Sequence, residues 1–274
     1  MQNKTHEVIA IAGKTGSGKD LVGRILQYIT RPLAWKSITF DEFNSGYGLA
    51  WHHPLHKYRI KKFADAVNDN YKRITGIDYS SLKGEEKDKY RVTFREYSEK
   101  TKMVFGPDIW AKTLFNEVNP VFKDPCPQCG ASIRKQSPAA CQESTCYKGQ
   151  PDFRPEYHWI ITDLRFRQTE LVEVNKRKGI IIYIDRPLSL IYPEQWKAYV
   201  EATTLVAKPR EVQEMRFISF LSFHKKESYQ KLFQKLTHVS EVEFRATEAH
   251  IVIENNGTVE ELIRKIESIK DQII

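Results

Sequence analysis

Residues Val8–Asp20 read VIAIAGKTGSGKD, and the fold follows from them. The piece Val8–Ala12 is short, continuous, apolar and mostly β-branched, which is the composition of a strand buried on both faces of a parallel sheet. Gly13, Gly16 and Gly18 interrupt it. From Lys19 the period changes: Leu21, Ile25 and Ile29 fall four apart, and Val22 and Leu26 do the same, so one apolar stripe runs along a helix. The reading is strand, glycine loop, helix.

The loop Gly13-Lys14-Thr15-Gly16-Ser17-Gly18-Lys19 matches G-x-x-x-x-G-K where its mechanism requires it, after a strand and before a helix. Glycines let backbone N–H groups wrap phosphate oxygens. The helix N-terminus adds partial positive charge, and Lys19 reaches the terminal phosphates. Where the motif expects a hydroxyl residue, this chain has Asp20. A carboxylate there can serve Mg²⁺ directly or through water, because Mg²⁺ takes oxygen ligands and keeps several waters. Equally, an acid in a first helical turn interacts with the helix dipole.

The strand-then-helix pattern recurs. Trp159–Thr162 (WIIT) precedes a helical stretch to Lys178, and Ile180–Ile184 (IIIYI) follows it. Near the C-terminus a strand at Ile251–Ile253 leads through Asn255, Asn256 and Gly257 into a helix. Thr258 and Glu261 form a capping box for that helix, and Leu262, Ile266, Ile269 and Ile273 mark its buried face. Between the first strand and Trp159 the spacing predicts helices over 61–75, 85–104 and 107–118. Short apolar strands alternating with helices imply an α/β chain of three α/β/α layers around a mainly parallel sheet. We read residues 1–274 as a single domain, with 123–155 an insertion and 187–236 a charged, aromatic helical subdomain.

Composition narrows the classes. With 41% hydrophobic and 28% charged residues, the 274-residue chain has material for a core and is neither disordered nor collagenous. No run of about 18 apolar residues occurs, and the polar start passes straight into the first strand, so neither a membrane span nor a secretory leader is expected. A cytoplasmic location is the expectation. The net charge of +8 suits an anionic partner without choosing among nucleotide, nucleic acid and water.

Asp163 ends the WIIT strand, with Arg165 two residues on. An acid in that place helps to hold Mg²⁺ in phosphate-loop proteins. An arginine at a strand's carboxyl end can fork onto phosphate in the crevice where open α/β sheets bind ligands. A structural Asp–Arg pair at a helix start is the alternative. All four cysteines lie between Cys126 and Cys146: Cys126 and Cys129 as C-x₂-C, Cys141 after eleven residues and Cys146 after four more. Four thiolates suit tetrahedral Zn²⁺, so a structural zinc site in a reducing compartment is expected, with free buried thiols as the alternative.

The chain resembles the bacteriophage deoxynucleoside monophosphate kinases of the P-loop NMP-kinase-like fold. The resemblance rests on Ser17-Gly18-Lys19-Asp20, on Lys62-Phe63-Ala64-Asp65 opening a helix that runs to Thr75-Gly76, and on Arg95-Glu96 ahead of Gly106-Pro107-Asp108-Ile109-Trp110. It continues in Thr162-Asp163-Leu164-Arg165-Phe166, Asp185-Arg186-Pro187, His238-Val239-Ser240-Glu241 and Asn255-Asn256-Gly257-Thr258, all in family order. It implies transfer of the ATP γ-phosphoryl group to a deoxynucleoside 5′-monophosphate. Gly13, Lys14, Thr15, Gly16, Ser17, Gly18, Lys19 and Asp20 then bind ATP, and Asp20 and Asp163 serve Mg²⁺. Lys19, Asp163 and Arg165 are the catalytic set, while Phe63, Arg95, Trp110 and Arg165 serve the acceptor. Homodimerisation is implied by resemblance alone. Because ATP must be shielded from water, residues 187–236, with Arg210 and Arg216 among their cations, are the expected lid.

Two other readings stand beside this one. The S-G-K-D loop also occurs in phosphomevalonate kinases, so another small phosphate acceptor is possible chemistry. A nucleic-acid-binding protein with a nucleotide switch is the second class, although charge is its only support and no recognition motif accompanies it.

Overall fold

The computed structural model describes residues 6–45, 57–118, 158–203, 209–238 and 243–273. The four cysteines and the expected zinc insertion lie outside the described residues. In chain order the elements are β1 (Val8–Ala12), α1 (Lys19–Ile29), α2 (Phe40–Asn44), β2 (Tyr58–Lys61), α3 (Phe63–Thr75), α4 (Gly84–Phe105) and α5 (Ile109–Val118). There follow β3 (His158–Leu164), a π-helical turn Arg167–Leu171, α6 (Val172–Lys176), β4 (Ile180–Asp185), α7 (Leu188–Ile191), α8 (Pro193–Ala202), α9 (Arg210–Phe223) and α10 (Glu227–Leu236). The chain closes with β5 (Ile251–Glu254), α11 (Val259–Ser268) and α12 (Lys270–Ile273). Contacts divide it into two compact units, one of Met1–Asp65 with His158–Ile274 and one of Ala66–Tyr157.

Among the described residues of the first unit, five strands form one all-parallel sheet in the order β2-β3-β1-β4-β5. The central strand β1 is wholly buried because it is paired on both edges and covered on both faces. Its Ile9 and Ile11 join Ile160, Ile182, Ile184 and Ile253 from the neighbouring strands in one apolar layer. Val22, Ile25 and Leu26 of α1 and Leu262 and Ile266 of α11 close over that layer. Tyr183 of β4 stacks instead on Phe244. Gly23 lets α1 lie close to β3: a methyl group there would come 2.6 Å from Thr162 Cγ2 and 3.4 Å from Ile160 Cγ2.

Most predicted elements are present, with three corrections. Lys61 is not helical, because Tyr58–Lys61 forms the edge strand β2 and α3 starts at Phe63. The stretch before Lys178 holds a π-helical turn and one short helix. The last helix breaks at Ile269, which is only partly buried, while Leu262, Ile266 and Ile273 are buried as expected. The Thr258–Glu261 capping box is formed. Helices α7–α10 share a buried cluster of Leu188, Tyr199, Phe217, Leu221, Leu232 and Leu236 within the first unit.

In the second unit, Tyr71 meets Phe94 and Tyr97 edge-on at 5.2 and 5.4 Å, and Tyr79 stacks on Phe94 at 4.1 Å. Among the described residues no helix is long and apolar enough to cross a membrane.

The close approach at Gly23 is testable. Gly23→Ala is expected to destabilise the protein by about 1–3 kcal/mol through overpacking, read by urea denaturation. Adding Thr162→Ser, which removes the opposing methyl and keeps the hydroxyl, recovers part of the loss as a non-additive cycle.

Candidate functional site

Parallel strands all present their carboxyl ends at one edge, and in this sheet β1 leads toward β2 while its neighbour β4 leads toward β5 on the other side. Such a reversal opens a crevice at the ends of the two strands. The glycine loop fills this place. Gly13 has φ +142° and would direct a side chain to 2.6 Å from the carbonyl oxygen of Ile184, so it admits no Cβ. Gly18 caps α1 in the left-handed region at φ +97°, and a Cβ there would lie 2.6 Å from Asn255 Nδ2.

Lys19 bends back over the loop, where its Nζ donates to the carbonyl oxygens of Gly13 at 2.6 Å and Lys14 at 2.9 Å. Ser17 N–H closes the turn onto Lys14 O at 3.0 Å. Ser17 is fully buried, and its Oγ finds no hydrogen-bond partner among the described residues. The hydroxyl lies against Gly13, and the first N–H groups of α1, which a helix leaves without intrahelical acceptors, follow directly on the loop in an arrangement suited to an anion.

Asp20 projects from the first turn of α1. Its Oδ1 accepts from Thr162 Oγ1 at 2.7 Å and its Oδ2 from Lys62 Nζ at 2.9 Å. Burial pushes its pKa up, but these two bonds and the charges of Lys62 and Lys19 outweigh it and hold the carboxyl below its usual range. Asp163 is differently placed. The register of β1 on β3 steps from Ala10–Ile161 to Ala12–Leu164, so β3 carries one extra residue just where Thr162 and Asp163 fall. The buried Asp163 carboxylate accepts the N–H of Phe63 at 2.7 Å on Oδ1 and that of Ala64 at 3.1 Å on Oδ2, and thereby caps α3. Desolvation raises its pKa, and the two backbone bonds and the Arg165 charge only partly offset that.

Glu170 was not legible as a site residue. It comes from the π-helical turn, is buried, and its Oε2 accepts the N–H of Arg165 at 2.7 Å and of Phe166 at 3.1 Å. Burial and the neighbouring Asp163 charge push its carboxyl up to about 8. The two acids thus share a desolvated corner behind Arg165, and Glu170 fixes the backbone that carries this arginine.

A second network ties the glycine loop to the helical subdomain. Lys14 Nζ donates to Glu214 Oε2 at 2.5 Å, and Glu214 Oε1 accepts Leu188 N–H at 3.0 Å and Arg210 Nε at 3.1 Å. Arg210 forks onto both oxygens of Asp185 at 2.7 and 2.8 Å. Burial pushes Glu214 up, but Lys14, the Leu188 amide and Arg210 together hold it below its usual range.

The structure therefore brings Gly13 through Asp20, Asp163 and Arg165 to one sheet edge. Phe63 stands there too, but it is buried and its N–H serves Asp163. Arg95 is exposed on α4 in the second unit. Trp110, also in that unit, is buried against Tyr97 with its indole N–H on Ser98 O, as a core aromatic would be. Among the described residues no group of three or more His, Cys, Asp or Glu side chains could hold a metal. Compared with models of known protein families and with curated proteins, the chain matches none.

The Glu170 corner has a signed pH dependence. An unfolded glutamate releases its proton near its ordinary 4.5 and the folded one near 8, so folding takes up a proton between these values and stability falls as pH rises through that window. Glu170→Gln, which mimics the protonated acid and keeps the acceptor for Arg165 and Phe166, is expected to exceed wild type by at least about 1.4 kcal/mol at pH 9 and to match it near pH 4.5. Urea melts at the two pH values check this.

Proposed function

We propose that the glycine loop is a P-loop and that the chain is an ATP-dependent kinase acting on a deoxynucleoside 5′-monophosphate, in an NMP-kinase-like fold. The observation that carries this reading is the loop itself: three glycines at positive φ, a buried unmet hydroxyl and an ammonium on loop carbonyls, all at the reversal point of a parallel sheet.

On this reading the triphosphate chain lies along the amides of residues 13–19, and Lys19 Nζ exchanges the carbonyls of Gly13 and Lys14 for phosphate oxygens. Phosphoryl transfer asks for positioning and charge neutralisation more than for covalent help, which agrees with the lack of a nucleophile in the motif. Arg165, held by the Glu170-bound backbone, turns its guanidinium to the acceptor phosphate. An acceptor role for Arg95, Phe63 and Trp110 is what the resemblance implies, and the burial of Phe63 and Trp110 speaks against it for those two. The 187–236 subdomain acts as lid, and Lys14–Glu214 and Arg210–Asp185 are the contacts through which it would sense the loop.

The acid that would meet a divalent cation is Asp20, whose carboxylate is exposed and ionised; the cation would take the place of the Lys62 ammonium on Oδ2. Asp163 would serve it through water, since both its oxygens hold α3. Mg²⁺ bound with ATP supplies charge neutralisation at the β- and γ-phosphates. The cysteines are proposed to hold one structural Zn²⁺. The protein is proposed to work in the cytoplasm, as a homodimer if the resemblance extends to assembly.

The deciding assay is ADP release from Mg·ATP with a panel of deoxynucleoside and nucleoside monophosphates and phosphomevalonate. We expect one or a few deoxynucleotides to stimulate release, and Lys19→Ala to lower it by about 100-fold or more with the melting temperature little changed. No stimulation by any monophosphate rejects the acceptor, and full activity in Lys19→Ala rejects the cradle. Elemental analysis is expected to find one zinc per chain and less after Cys129→Ser.

A further inference from the structure

Asn255 follows β5 and is nearly as buried as the core, at 6% exposure. Its backbone N–H donates to Asp185 O at 2.8 Å, which fixes it to the end of β4. Its side-chain Nδ2 reaches across to Ser17 O, also at 2.8 Å, in the middle of the glycine loop. The approach is so close that Gly18 has no room for a Cβ on that side.

A planar trans peptide unit directs its C=O and N–H in opposite senses. The unit between Ser17 and Gly18 has its carbonyl drawn onto Asn255, so its N–H, that of Gly18, faces away from Asn255. That N–H belongs to the cap of α1, among the groups a helix leaves without intrahelical acceptors. Resting on the phosphate-loop reading, we infer that Asn255 is a positioning residue of the anion cradle: by holding the Ser17 carbonyl it aims the Gly18 amide at the bound phosphate. Without that bond the peptide can rotate and present its carbonyl dipole to the anion, which repels it. Asn255 touches no phosphate itself, so its effect depends on phosphate and not on the base or sugar.

Two probes separate this from a role in shape alone. Calorimetry with inorganic tripolyphosphate and with Mg·ATP is run on wild type, on Asn255→Asp, which keeps the shape and loses the donor, and on Asn255→Ala. Each variant is expected to lose about tenfold in affinity for both probes alike, the effect of one charge-assisted donor. In ¹H–¹⁵N spectra of the wild type the Gly18 amide is expected to move on adding tripolyphosphate. Unchanged affinity in a folded variant overturns the proposal, as does a loss confined to ATP, which would place Asn255 against the rest of the nucleotide. A Gly18 resonance in the wild type that ignores tripolyphosphate overturns it even if neither variant folds. Wild type binding neither probe removes the phosphate-loop reading beneath it.

Discussion

Parallel strands can be joined only by crossovers, so every strand of this sheet ends at the same edge and every connection leaves from there. The polar backbone that spills out at that edge must find acceptors or donors away from bulk water. Much of the chemistry in the first unit answers this one demand. Asp163 takes the first N–H groups of α3, Glu170 those of Arg165 and Phe166, Glu214 that of Leu188, and Asn255 a carbonyl of the glycine loop. The side chains that finish the fold are thus neighbours of those proposed to bind phosphate.

That overlap changes how the acids are to be understood. Asp20 and Asp163 look alike in sequence, each an acid beside a structural transition, yet their environments push them apart. Asp20 is exposed and held ionised by Thr162 and Lys62; Asp163 is buried and spends both oxygens on α3. One carboxylate stays at the surface as an ion and the other holds the frame. The Lys14–Glu214–Arg210–Asp185 chain is partly buried too, and pairs of this kind add little net stability because desolvation offsets their attraction. What such a network supplies is a defined arrangement between the loop and the subdomain that packs around Phe217 and Leu221.

The α/β class was legible because β1, β3 and β4 are buried on both faces and so appear as unbroken apolar runs. β2 was not, since an edge strand of four residues reading YRIK is half polar and joins without a break the apolar spacing of α3. The turn after β1 could be placed because its glycines stand at Gly13, Gly16 and Gly18, and all three take positive φ. Glu170 and Asn255 could not: one sits in a π-helical turn that shifts side chains off the expected period, and the other looks like any turn asparagine. Glu170 bonds backbone amides only four and five residues back, while Asn255 meets a carbonyl of a distant segment, and no pattern along the chain encodes which carbonyl such an amide will meet.

The glycines show where the two levels join. A glycine at a left-handed position explains Gly18 by φ alone, yet the position would be strained for other residues even in open space. Asn255 Nδ2 within 2.6 Å of the missing Cβ adds a second reason, that another side chain must come this close. Gly13 carries the same double constraint, with φ +142° and the Ile184 carbonyl 2.6 Å from its absent Cβ. The loop is therefore shaped from outside as well as by its own dihedral angles: β4 presses on its start through Ile184, and the end of β5 holds its finish through Asn255. A loop clamped between two strand ends keeps its amides directed, and on the proposed reading an anion that met them would lose little to reorganisation.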